Sequence, residues 1–236
     1  MKVIGKDIGE ALDAMYSELE SRVRVEAERE LRVEPFDGGS FSNVSWEQPG
    51  LVVISLHNGV PTHALPHVFG VALQHVRQRL DLYPVVRPGE RNVDGAALVR
   101  TALRELVLAP EAEQHLEPLN LDVEWETEQR HEGLKQLLRD APEEWDQPGT
   151  VGNAFASLQY ARFTIEHPPH LWESLREQFR ERLPVAAEHG EGVVQVVRSH
   201  GWNSPGACVT SLISARDELS LGPFAVVEDR RNGRRY

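Results

Sequence analysis

The chain has 236 residues, 40% hydrophobic and 26% charged, an ordinary globular composition for one large domain or two small ones. A net charge of −12 and a pI of about 5.3 argue against nucleic acid or an anionic membrane surface as partner, since binders of either concentrate Lys and Arg. One cysteine, Cys208, excludes an internal disulfide and a Cys-rich zinc site. No run approaches the roughly 20 apolar residues of a membrane span, and an acidic amino terminus is unlike a signal peptide, so a cytoplasmic protein is expected.

Asp7 and Glu10 have capping-box spacing, and Ile8, Leu12, Met15, Leu19 and Val23 mark one face of a first helix. Three extended segments follow at 31–36, 41–46 and 51–56. Asp37-Gly38-Gly39 between the first two signals a hairpin. Residues 51–56 form an apolar run rich in β-branched side chains, opened by Pro49-Gly50, and read as a buried strand.

From Pro66 to Leu80 the period becomes helical. Leu65, Val68, Phe69, Ala72, Leu73, Val76 and Leu80 fall on one stripe. His67, Gln74, His75 and Gln78 lie opposite, with Val71 among them. One reading is an ordinary amphipathic helix whose polar face is solvated. The stretch PHVFGVALQH (66–75) also resembles the active-site helix of zincin metallopeptidases, commonly AHELGHALQH. His67 matches the first metal histidine, and Gly70, Ala72, Leu73, Gln74 and His75 match its surroundings. Val68 stands where the resemblance places the general-base glutamate, and Val71 where it places the second histidine. His75 lies about 12 Å along the axis from His67 at 1.5 Å per residue, too far to share one ion easily. The resemblance implies a third ligand, a glutamate, on the following helix, and Glu105 is best placed in sequence. It falls about 120° from the centre of that helix's apolar stripe, which reads as solvated surface. Four of the ten histidines lie within 57–75, so this stretch is the densest histidine cluster of the chain.

Asp94 opens a helix expected to end near Leu108, with Val99, Ala102, Leu103 and Leu106 inward. Residues 110–121 read as a short helical piece. Asp122 could cap a polar surface helix over 123–139, with Trp125, Leu134, Leu137 and Leu138 as its apolar positions. The stretch 142–149 is the best lobe boundary, although Trp145 should pack. Beyond it lie helices at 151–165, 171–183 and 185–199, the last expected to break at Gly190 and Gly192, and one begun by Ser204-Pro205. Cys208 reads as a buried thiol, 224–228 as a last strand and the RRNGRRY terminus as a solvated run. Glu166-His167-Pro168-Pro169-His170 reads as a helix end whose histidines meet the negative pole of the dipole. No phosphate-binding glycine loop or nucleophile elbow occurs.

The expected fold is α+β: a small antiparallel or mixed sheet packed by helices over 1–141, then a mainly helical lobe over 142–236 with a final strand. Three functions fit. One is a non-catalytic, zincin-like pseudo-peptidase whose cleft at His67, Val71, Gln74 and His75 binds a peptide or protein. Another is a metal-dependent hydrolase using His67 with ligands from other segments. The third is a plain interaction or structural protein. The first assigns no catalytic residue and no cofactor. Were a metal bound, zinc would fit, with His63 and His67 as candidate ligands.

Overall fold

A computed structural model describes residues 2–10, 12–91 and 93–236. The fold is α+β, with eight α-helices and three small sheets among the described residues. Contacts divide the chain into two compact units, Met1–Asp81 with Ala112–Glu128 and Leu82–Glu111 with Gln129–Tyr236. The division crosses the chain at 81/82, 111/112 and 128/129, and residues 142–149 lie inside the second unit. Among the described residues no helix is long and apolar enough to cross a membrane.

In the first unit, β1 (Lys2–Val3) and β2 (Lys6–Asp7) form a tight hairpin turning through Gly5 at φ 80°. The expected capping box is therefore absent. Asp7 is in a strand, its carboxylate accepting from the Gly9 amide at 2.9 Å, and α1 begins later, spanning Asp13–Glu26. The three-stranded sheet has the order β3 (Glu30–Phe36), β5 (Leu51–His57), β4 (Ser42–Ser45), with β5 parallel to β3 and antiparallel to β4. This corrects the expected hairpin at Asp37-Gly38-Gly39: β3 and β4 do not pair. The central place is buried on both faces, and only β5 is apolar enough for it, with Val52, Val53, Ile54 and Leu56 all buried. The polar β3 and β4 are left at the edges, where Pro35 of β3 can lack an amide donor without breaking the sheet. Val52, Ile54 and Leu56 pack in one core with Leu19 and Val23 of α1 and with Val68, Phe69, Ala72, Leu73 and Val76 of α2 (Leu65–Leu80).

The second unit contains β6 (Val85–Pro88), most of α3 (Ala96–Leu116) and of α4 (Glu124–Asp140), then α5 (Val151–Glu166), α6 (Pro169–Arg182), α7 (Pro184–His200), α8 (Pro205–Glu218), β7 (Ala225–Asp229) and β8 (Arg234–Arg235). The helix expected to stop near Leu108 instead continues through Pro110 to Leu116. A proline inside a helix costs about 3 kcal/mol, and burial of Val107, Leu108, Ala109, Ala112 and Leu116 offsets it. The expected break at Gly190 and Gly192 is also absent, because α7 is continuous. A Cβ on Gly190 would stand 2.6 Å from Tyr160 Cδ1 and 2.9 Å from the Ser157 carbonyl, so the glycine lets α7 approach α5 closely. Trp145 is half-buried and stacks edge-on against Phe155 at 5.5 Å. Thr150 caps α5 and Ser204 caps α8, each hydroxyl accepting a backbone amide.

The carboxy-terminal run is exposed over 231–236, as expected, and is also tied to the sheet by strand pairing. β7 pairs with β6 and β8, and the Tyr236 amide donates to the Val227 carbonyl at 2.9 Å. Buried Asp229 holds the turn, accepting from the Arg231 guanidinium and the Asn232 amide group.

Candidate functional site

α2 carries the site. Its apolar stripe faces the core as the 3.6-residue period requires, and Val68, in the general-base position of the zincin pattern, is part of that core at 1% exposure. The other face is not solvated. His67, Gln74 and Gln78 are each only 3% exposed, while Val71 and His75 are half-buried. The first unit's own chain covers this face near Gly70, where an added Cβ would stand 3.0 Å from the Leu116 side chain and 3.4 Å from that of Leu121.

His67 meets two carboxylates there. Its Nε2 lies 2.8 Å from Glu113 Oε2, on the last turn of α3, and its Nδ1 lies 2.8 Å from Glu126 Oε2, on the first turn of α4. Burial alone pushes the imidazole toward the neutral form. The hydrogen bonds and negative charges of Glu113 and Glu126 outweigh it and raise the pKa to about 9. At neutral pH the ring is therefore an imidazolium that donates from both nitrogens. Glu126 is nearly as buried as the ring, with its side chain 7% exposed, whereas Glu113 is 31% exposed.

The remaining expected site residues have local partners. The Gln74 side chain donates to Met15 Sδ at 3.3 Å and accepts from Arg77. His75 Nδ1 and Gln78 Oε1 lie 2.8 Å apart. His63 is exposed, just before α2. Glu105 is not open surface: it is half-buried and pairs with Arg104 at 2.5 Å and Arg162 at 4.0 Å in the second unit. Among the described residues no three His, Cys, Asp or Glu side chains are grouped so as to hold a metal ion.

Glu113 and Glu126 escaped the sequence argument. For Glu113 a signal existed. It lies seven residues, two helical turns, beyond Leu106, so it stands on the inward stripe once α3 runs through Pro110. Nothing comparable marks Glu126 within the charged sequence of α4. Elsewhere, Cys208 is buried and its thiol donates to the Trp202 carbonyl at 3.3 Å.

The geometry can hold a proton firmly and bind three segments of the first unit together. An imidazolium has no lone pair to offer a metal ion, so ligation by His67 would require loss of a proton and opening of at least one carboxylate contact. Comparisons of the chain with protein-family models, curated proteins and solved structures give no match.

Proposed function

We propose that this is a non-catalytic, zincin-like protein that acts by binding a peptide or protein partner. The observation that carries the reading is the double contact of His67 with Glu113 and Glu126, which engages both ring nitrogens. The one imidazole kept from the metallopeptidase pattern then serves as a structural cation. Val68 supplies no base and Val71 no second ligand. The edge of α2 offered to a partner is at Val71 and His75, half-buried and one turn apart.

A second reading draws on the same convergence. A metal-dependent hydrolase could use His67 through one ring nitrogen, with the carboxylate at that nitrogen and ligands from other segments, the other carboxylate orienting the ring. Metal analysis and a peptidase assay on tag-free protein separate the two. The proposal expects no zinc that depends on His67 and no cleavage of an unfolded polypeptide with zinc supplied. One zinc per chain, lost in His67→Ala, would establish the hydrolase reading instead. The binding role is tested by selecting peptides from a displayed random library on the immobilised protein. Selected peptides should lose binding to folded Val71→Asp and His75→Asp variants. Undiminished binding to both would place the role elsewhere on the molecule.

A further inference from the structure

In the second unit the charged faces of α4 and α6 border a cleft of about 640 Å3, lined by Glu132, Lys135, Leu138 and Arg139 of α4 and by Gln178 and Arg182 of α6. The spacing explains the lining. Residues 132, 135 and 139 share one face of a helix at i, i+3 and i+7, and 178 and 182 stand one turn apart. Leu138 is 5% exposed and belongs to the core with Leu175 and Phe179, so the cleft has an apolar floor and a charged rim.

The charge of the rim is opposite to that of the whole chain. Three cations and one acid line the cleft, in a protein of net charge −12. The acid is already compensated. Lys135 Nζ donates to Glu132 Oε1 at 2.7 Å, and this contact, with the charges of Lys135 and Arg139, holds the Glu132 carboxyl below the usual carboxylate range. The two arginines have only neutral acceptors. Arg139 Nη2 donates to the Gln136 side-chain oxygen at 2.6 Å, and Arg182 Nη2 donates to the Ala141 carbonyl at 2.7 Å. Among the described residues neither has a carboxylate within salt-bridge distance. Each of these bonds uses one of the five N–H groups and steadies the guanidinium, leaving the others for a ligand.

We propose that this cleft binds a small phosphate ester, with its phosphoryl group held by Arg139 and Arg182 and its organic part against Leu138. A guanidinium presents paired N–H groups that match phosphate oxygens, and two of them from different helices suit the double charge of a phosphate monoester. A volume of about 640 Å3 is that of a small-molecule site. The overall negative charge of the chain repels a long polyanion such as nucleic acid, whereas a single phosphoryl group within the cleft meets the local positive field. The competing account is a solvated seam between two helices whose arginines are simply hydrated.

Calorimetric titration of the tag-free protein with phenyl phosphate at fixed ionic strength decides between them. One saturable site is expected, with weaker binding of inorganic phosphate, which has no apolar part to cover Leu138. Arg139→Gln and Arg182→Gln should each lower the affinity by roughly 10- to 100-fold, the loss of one charge-assisted contact. Glu132→Gln should raise it, because the change removes the acid of the cleft and releases Lys135. Arg234→Gln, in the exposed basic run at the end of the chain, should leave it unchanged. No saturable site for phenyl phosphate, or an affinity untouched by both arginine changes, overturns the proposal. So does binding of an acidic peptide without binding of phenyl phosphate, which would assign the cleft to a protein segment.

Discussion

Replacing His67 by alanine tests the clamp at its centre. The substitution removes two charge-assisted hydrogen bonds, each worth about 1.5–3 kcal/mol when formed. It also removes the imidazolium beside Glu126, whose side chain is 7% exposed. Breaking a buried ion pair from one side costs about 3–5 kcal/mol. Glu113, at 31% exposure, can turn to water and adds little. Against a typical total of about 5–15 kcal/mol the loss is large. At about 2–4 °C per kcal/mol for a chain of this size, the melting temperature should fall by roughly 6–20 °C. Scanning calorimetry measures it, with urea unfolding followed by Trp46 and Trp125, the tryptophans of the first unit. A double variant, His67→Ala with Glu126→Gln, should recover part of the loss, because the amide needs no counter-charge. A loss below about 1 kcal/mol, the scale of surface substitutions, would refute the clamp. So would a double variant no more stable than His67→Ala.

Raising the pH should weaken the same contact. The folded pKa of His67, about 9, lies above the ordinary 6.5, so the stabilisation is complete below pH 6.5 and gone once pH has risen through 9. The loss amounts to about 3 kcal/mol at 1.36 kcal/mol per unit, and urea midpoints across that window should show a slope that His67→Ala lacks. Gly190→Ala should destabilise by about 1–3 kcal/mol, because its Cβ would meet the Ser157 carbonyl at 2.9 Å and Tyr160 cannot clear the space alone. Gly133→Ala, with nothing within 4 Å of the added carbon, should instead gain up to about 1 kcal/mol of helix propensity. Both are read from thermal melts. Asp146→Ala should cost about 0.5–2 kcal/mol, since its carboxylate accepts from the Val185 and Ala186 amides at the start of α7, and a urea midpoint left in place would argue against that cap.

Periodicity located the helices well because their cores are apolar and regularly spaced. α2 begins within a residue of its expected start, and its stripe is buried as the spacing requires. Local turn signals did less well. Asp37-Gly38-Gly39 does turn the chain, but which strands pair depends on which run can be buried on both faces, and that is a comparison among segments. Pro110 and Gly190 misled for a related reason. Each has an unfavourable local propensity of about 1–3 kcal/mol, and each is outweighed by packing with residues distant in sequence.

The polar face of α2 was harder still, since a buried polar residue and a solvated one look alike until the covering segments are known. His67 is legible as unusual. The carboxylates that determine its charge arrive from positions 46 and 59 residues later. Once they are in place, the valines at 68 and 71 acquire a physical meaning. A second imidazole at 71 would bring another group to be desolvated or charged, and a glutamate at 68 would place a charge in a core position 1% exposed. One imidazolium and two carboxylates leave a net charge of −1. The more exposed partner, Glu113, is where water can carry that excess, while Glu126 is neutralised by the ring in the interior. The arrangement holds one buried cation between two carboxylates. An added divalent ion would have to displace the ring's proton and reorganise the carboxylates of two helices, which is why zinc loading and His67 replacement test the same physical claim from opposite sides.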